Sequence, residues 1–308
     1  MDKAEQKTEH QTHKPEHHSE KNWYDKSYKL ILFVPVALLV LSLVYIVMFN
    51  ARTGDLINRD VSLSGGTTIT LIGEIDALSI ETQLKEKISD ISFRSLNDLR
   101  SGKQIALVIE SSLQSDELKV QVEEVVGYKL DDKNSSIEFT GPSLSDNFYR
   151  QLIIALIISF VLMSIVIFIM FKSFIPSMAV IFAAFADIVM TLAFVDYFGI
   201  KISAAGIAAF LMLIGYSVDT DILLTTRALK KTEGTLNQRI FGAFKTGIFM
   251  TTTALFAVLP AFFIVTGLPD SFRQIFLILA VGLCADIVNT WMTNASIIKW
   301  YCDRKGIK

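Results

Sequence analysis

The stretch at residues 202–224, ISAAGIAAFLMLIGYSVDTDILL, decides the fold class. It is long and apolar enough to cross a bilayer core, which takes roughly 20 residues of helix. It also carries two acids, Asp219 and Asp221, and a run of small residues: Ala204, Ala205, Gly206, Ala208, Ala209 and Gly215. Small side chains let helix backbones approach one another closely in lipid. A helix of this kind sits within a bundle of membrane helices.

Five further apolar stretches of spanning length lie on either side of it, at residues 30–49, 152–171, 176–196, 247–267 and 274–298. The first follows a polar tail and has no small-x-small cleavage site after it, so it is expected to remain as a span. The whole composition agrees with a membrane protein. Of 308 residues, 51% are hydrophobic and 19% charged, against about 25% charged in soluble chains. That composition argues against an ordinary cytosolic enzyme. Two cysteines argue against a disulfide-stapled secreted scaffold. A net charge of −2 argues against a nucleic-acid partner.

Lys and Arg near the spans set the expected orientation. The N-terminal tail, Lys172, the loop carrying Arg227, Lys230, Lys231, Arg239 and Lys245, and the C-terminal tail hold 16 basic residues, against only Lys201 and Arg273 in the short loops opposite. Both termini are therefore expected in the cytoplasm, in a multi-pass protein of the plasma membrane. The expected organisation is a disordered tail at 1–29, a first span at 30–50, an outer domain at 51–148, five spans at 149–300 and a tail at 301–308.

The outer domain reads as β-α-β-β-α-β. Strands are expected at 67–72, 91–96, 104–109 and 136–139, with helices at 77–88 and 116–128. Leu118, Val122, Val125 and Val126 share one face of the second helix. This order fits a ferredoxin-like α+β module. His10, His13, His17 and His18 lie in the N-terminal tail, where a polar, solvated segment is expected. Cys284 and Cys302 are about 27 Å apart along a helix and cannot bridge.

The chemistry is expected in the acids within the spans. Asp187 and Asp286 fall near mid-span, and Asp219 and Asp221 toward the cytoplasmic end of theirs. A charged residue at bilayer depth costs at least about 2.5–3.5 kcal/mol, so four carboxylates need a reason. Asp219 and Asp221 point to nearly opposite sides of one helix, so both cannot face the same neighbour. The fifth span opens at Lys245 and carries Thr246, Thr251, Thr252 and Thr253 at the same depth. The last adds Asn289, Thr293 and Asn294. The proton-relay candidates are Asp219, Asp221, Asp187, Asp286, Lys245 and Thr252. The same residues also fit neutral, hydrogen-bonded groups that only hold helices together. No Walker loop, dinucleotide fingerprint, zinc signature or nucleophile elbow is present, and no cofactor is expected.

Three motifs resemble the SecD/SecF protein-export family of the resistance–nodulation–division superfamily. They are Gly215-Tyr216-Ser217-Val218-Asp219-Thr220-Asp221-Ile222-Leu223-Leu224 with Arg227, the junction Gly141-Pro142-Ser143-Leu144, and Ser62-Leu63-Ser64-Gly65-Gly66. Ser62 and Leu63 stand where the family usually has Asp and Phe. Lys245 stands where bacterial members have arginine. The short outer domain and the Val-Asp-Thr-Asp form resemble the archaeal SecF branch. The resemblance implies Sec-dependent export driven by the proton-motive force, with a SecD-like subunit, the Sec translocation channel and a translocating preprotein as partners. No covalent chemistry, and so no enzyme, is implied. Asp219 aligns with the aspartate of the SecD form of the motif, which gives it the proton-carrying role in this reading. A half-size small-molecule or lipid exporter, acting as a homodimer, is the alternative.

Overall fold

A computed structural model describes residues 23–98, 101–230, 234–264 and 270–307. The tail histidines lie outside the described residues. Among the described residues six helices are long and apolar enough to cross a membrane. A short helix α1 (Trp23–Ile31) precedes α2 (Phe33–Thr53), and a one-turn α3 (Val61–Ser64) leads into the outer domain. That domain runs β1 (Gly66–Ile72), α4 (Ala77–Lys87), β2 (Ile91–Asn97), β3 (Gln104–Ser111), α5 (Ser115–Val126), β4 (Ser135–Thr140). The remaining spans are α6 (Pro142–Phe171), α7 (Phe174–Tyr197), α8 (Ala204–Lys230), α9 (Leu236–Ile264) and α10 (Asp270–Val288). The last of these continues through a π-helical segment, Asn289–Asn294, into α11 (Ala295–Lys305).

The sheet has strand order β2-β3-β1-β4 with every neighbouring pair antiparallel. This is the split βαβ arrangement expected of the module. Alternation along β1 and β3 sends Ile69, Leu71, Leu107 and Ile109 to the face covered by α4 and α5, where Leu84, Leu118 and Val122 meet them in one buried core. The other face carries Ser92, Arg94 and Glu110. It lies over a cleft of about 490 Å³ that is closed on its far side by Lys201, Ser203, Arg273 and Gln274 of the membrane part.

Burial separates the spans into two sets. The most apolar stretches of α7, α8 and the α10–α11 helix are 61%, 56% and 56% buried, whereas those of α2, α6 and α9 are 11%, 6% and 11% buried. The inner three form the centre, and their small residues explain why. A Cβ on Gly282 of α10 would lie 2.5 Å from the methyl groups of Leu213 on α8. Gly247 of α9 likewise leaves room for the ring of Trp291.

α6 begins ten residues before the apolar stretch that announces it, because Pro142 follows Gly141 as the first helical residue. Proline suits that position, having no N–H to leave unpaired. There two of the sequence motifs meet. Gly65 has φ +83° and ψ 162°, and a Cβ on it would lie 2.7 Å from Pro142 Cα. Gly66 pairs with Thr140 as β1 meets β4. Gly65 thus allows the sheet to sit directly against the start of α6, and Gly66 allows the same strand to approach Ser111 at the end of β3.

Candidate functional site: a buried carboxylate cluster

Helix α8 buries one face and exposes the other. Leu213, Ser217, Asp221, Leu224, Thr225 and Ala228 recur at helical spacing on the buried side. Asp221 is fully buried. Asp219, two residues away, lies on the exposed face. The opposite placement follows from the helical repeat of about 100° per residue.

Asp187 of α7 and Asp286 of α10 are also fully buried and lie around the same buried face of α8. Ser217 Oγ donates to Asp187 Oδ2, and Asn289 Nδ2 donates to Asp187 Oδ1 at 2.7 Å. Thr220 Oγ1 lies 3.1 Å from both oxygens of Asp286 and 2.9 Å from the carbonyl of Ser217. Thr290 Oγ1 lies 2.9 Å from Asp221 Oδ1 and 2.9 Å from Asp286 Oδ1. Asn294 Nδ2 donates to Asp221 Oδ1 at 2.7 Å. Among the described residues no Lys or Arg forms an ion pair with any of the three acids.

The π-helical segment makes this convergence possible. Its i→i+5 bonding, closed by Ala295 N–H to the Thr290 carbonyl, places residues five apart near one face. Asn289 thereby reaches α7 and Asn294 reaches α8, with Thr290 between them. Such widened turns recur at functional sites.

Hydrogen counting limits the protonation states. A hydroxyl has one hydrogen to donate. If Thr290 donates to Asp221, its contact with Asp286 is a hydrogen bond only when the Asp286 carboxyl donates, and the reverse holds equally. The Ser217 carbonyl can only accept, so both Thr220 contacts are hydrogen bonds only when Thr220 donates to that carbonyl and the Asp286 carboxyl donates to Thr220. With Thr290 then donating to Asp286 and accepting from Asp221, the full set of contacts needs two carboxyl protons in the cluster. Asp221 Oδ2, Thr225 Oγ1 and Asn294 Oδ1 are buried without a hydrogen-bond partner among the described residues. Asp221 and Thr225 stand one turn apart on the same face of α8.

The other sequence candidates lie elsewhere. Lys245 is exposed, its Nζ 5.6 Å from the Phe241 ring centre. Thr252 is half-buried on α9 and makes no hydrogen bond to an acid among the described residues. Arg227 ties α8 to α9 instead, donating to the Gly242 carbonyl at 2.6 Å and to Thr246 Oγ1 at 2.9 Å. Asp187, Asp221 and Asp286 are brought together, and Asp219, Lys245 and Thr252 are not. Ser217, Thr220 and Thr290 are the partners that sequence reading passed over. Their signal was spacing: Ser217 lies four residues before Asp221, and Thr290 four after Asp286.

The helices α7 and α8, which carry Asp187 and Asp221, are bonded through their connecting loop to the outer domain. The loop between α7 and α8 bonds to the linker ahead of β1, with Asp60 N–H on the Ile202 carbonyl at 3.0 Å and Ile202 N–H on the Asn58 carbonyl at 2.6 Å. Asn58 N–H also donates to Asp196 Oδ1 at 3.1 Å. Lys201 Nζ reaches Asp90 Oδ1 of the sheet domain at 2.8 Å. That hydrogen bond is the main reason the Asp90 carboxyl is held below the usual carboxylate range. Arg59 holds Asp55 and Asp146 at 2.8 Å each, joining the linker to α6.

A split βαβ domain inserted after the first of six spans, over a bundle whose core holds three carboxyls without an ion-pair partner among the described residues, defines a polytopic membrane protein with a buried polar site. Residues 120–304 match the family described as "Protein export membrane protein SecD/SecF, C-terminal". The chain belongs to the SecD/SecF family, and within it to the SecF branch. It is 38% identical to the protein-export membrane protein SecF of Methanolacinia petrolearia, over 90% of this chain and 95% of that one. It is 37% identical to SecF of Methanothermobacter thermautotrophicus, over 90% and 94%. It is 36% identical to SecF of Methanocaldococcus jannaschii, over 90% and 96%. The crystal structure of SecDF, a translocon-associated membrane protein from Thermus thermophilus, has the same fold, with a TM-score of 0.69 at 17% identity. The match covers 91% of this chain and 38% of that one, so the present chain spans well under half of its length.

Proposed function

We propose that this chain is the SecF subunit of a SecD–SecF pair that uses the proton-motive force to help move polypeptide through the Sec channel. In this reading both termini lie in the cytoplasm, the sheet domain lies outside the plasma membrane, and no covalent step is involved. The observation that carries it is the single Thr290 hydroxyl set between Asp221 and Asp286. Moving a proton between those carboxyls requires Thr290 to reverse its donation, which alters the contacts holding α8 against α10. The α7–α8 loop and its bonds to Asn58, Asp60 and Asp90 then carry the movement to the outer domain. Such coupling is a two-state element biased by a local charge change.

The relatives named above are protein-export proteins, and nothing in them favours the homodimeric exporter, so that alternative is not retained. The test is reconstitution of the full chain with a SecD-like subunit and the Sec channel in vesicles. Preprotein release should rise when a proton gradient is imposed and lose that rise in Asp286→Asn. Gradient-independent release, or co-purification as a homodimer without a SecD-like subunit, would sink the reading.

A further inference from the structure

The opposite end of the bundle from the sheet domain carries a groove that the export reading does not use. Its wall begins at Leu32, the residue between α1 and α2, whose backbone stays helical and bonds the Tyr28 carbonyl. Pro35 has no N–H for the Ile31 carbonyl, which removes one hydrogen bond from the helix there. α1 is pinned against α9 and α11. Asp25 accepts from Asn237 Nδ2 of α9 at 3.1 Å and pairs with Lys299 Nζ of α11 at 2.8 Å. Ser296 Oγ donates to the Tyr28 carbonyl at 3.0 Å.

Between the pinned helix and α11 lies a groove of about 450 Å³, lined by Tyr28, Lys29, Leu32, Ser296, Ile297 and Trp300. The Ser296 hydroxyl is already engaged with the Tyr28 carbonyl. The floor is apolar, from Leu32 and Ile297. The rim is cationic and aromatic. Lys29 is exposed and forms no ion pair among the described residues. Arg304 stacks on Trp300, 5.5 Å from guanidinium carbon to ring centre, and likewise forms no ion pair among them. On the same stretch of helix Leu30 and Phe33 are 76% and 72% exposed. Apolar residues so open, beside the start of a span, belong against lipid.

We propose that this groove is a binding site for an anionic phospholipid of the surrounding membrane. The headgroup phosphate is recognised by Lys29 and Arg304. The glycerol end and upper chain lie on Leu32 and Ile297, and the chains continue down past Leu30 and Phe33. Each element has its physical reason. Basic residues at the membrane surface attract anionic lipid, each by an appreciable fraction of the binding energy. Tyr and Trp favour the headgroup level. The groove volume holds a headgroup and not a whole lipid, so the acyl chains must stay in the bilayer. A lipid seated there would brace α1 against α11, and α11 follows directly on the segment that carries Thr290 and Asn294.

The experiment uses the purified full chain in detergent, with native mass spectrometry after addition of phosphatidylglycerol or phosphatidylcholine. Phosphatidylglycerol should remain bound about tenfold more than phosphatidylcholine, a preference two surface cations can supply. The Lys29→Ala/Arg304→Ala double variant should lose that preference, whereas Lys230→Ala/Lys245→Ala should keep it. Equal retention of the two lipids, or an unchanged preference in the first double variant, would overturn the proposal. So would displacement of phosphatidylglycerol by millimolar inorganic phosphate, which marks a site for free anions. A second measurement needs no variant. A photoactivatable phosphatidylglycerol in vesicles of wild-type protein should crosslink to peptides around residues 28–33 and 296–304. Crosslinks confined to other helices would equally overturn it.

Discussion

Asp221 on α8 and Asp286 on α10 share one hydroxyl: Thr290 Oγ1 lies 2.9 Å from an oxygen of each. The sharing couples the two acids, because Thr290 can satisfy only one as donor. The expected consequences can be measured.

Substitution should separate the two acids of the fourth-span motif. Asp221→Asn and Asp286→Asn are expected to lower gradient-driven export by about tenfold or more, the loss of a step made only in the driven state. Asp219→Asn, on the exposed face of α8, should stay within about twofold in the same vesicle assay. A larger loss in Asp219→Asn than in Asp221→Asn would return the proton-carrying role to Asp219.

Thr290→Val removes the shared hydroxyl with little change of shape. It leaves buried carboxyl oxygens short of a partner, which costs about 1–3 kcal/mol. The full chain in detergent should melt at a lower temperature, and Thr290→Ser should recover most of the loss. A Val variant as stable as wild type would mean that the hydroxyl is not engaged with both acids.

Gly65→Ala and Gly54→Ala make a matched pair. Both glycines have positive φ, +83° and +80°. Gly65 has ψ 162°, a region open almost only to glycine, and Pro142 stands where its Cβ would go. Gly54 has nothing within 4 Å of that position. Gly65→Ala should therefore cost about 1–3 kcal/mol or more, and Gly54→Ala about 1–2 kcal/mol. Thermal unfolding compares them directly, and equal losses would remove the role given to the Gly65–Pro142 contact.

The Asp90–Lys201 pair predicts a pH response. Its carboxyl is lowered by the hydrogen bond from Lys201, so the pair stabilises above the unfolded carboxylate value near 3.9. That contribution is lost as pH falls through the lower folded value. Asp90 is 54% exposed, which limits the pair to at most about 1 kcal/mol and makes it sensitive to salt. Hydrogen exchange in the α7–α8 loop should be faster in Asp90→Asn than in wild type at pH 6. The difference should shrink as the pH falls below the usual carboxylate value, through the lowered folded one. A difference independent of pH across the acid range would show that another contact orders the loop.

Much of the outer domain was legible because one face of each element is buried. The alternation of Ile69 and Leu71, and the helical spacing of Leu118 and Val122, can be read in a single dimension. The four intramembrane acids were legible too, since each stands out against apolar neighbours. Their partners were not. Ser217, Thr220 and Thr290 are ordinary residues in membrane helices, and only the approach of α7, α8 and α10 gives them carboxyls to bond. The π-helical segment left no mark, as Asn289–Asn294 contains neither Pro nor Gly.

Composition and periodicity alone thus determined six spans, an inserted split βαβ domain and the opposite facing of Asp219 and Asp221, because burial and helical repeat act along the chain. Which of those two acids joins the cluster was decided by tertiary structure. It depends on which face of α8 meets its neighbours, and that is set by packing between helices distant in sequence, where Gly282 admits Leu213 and Gly247 admits Trp291.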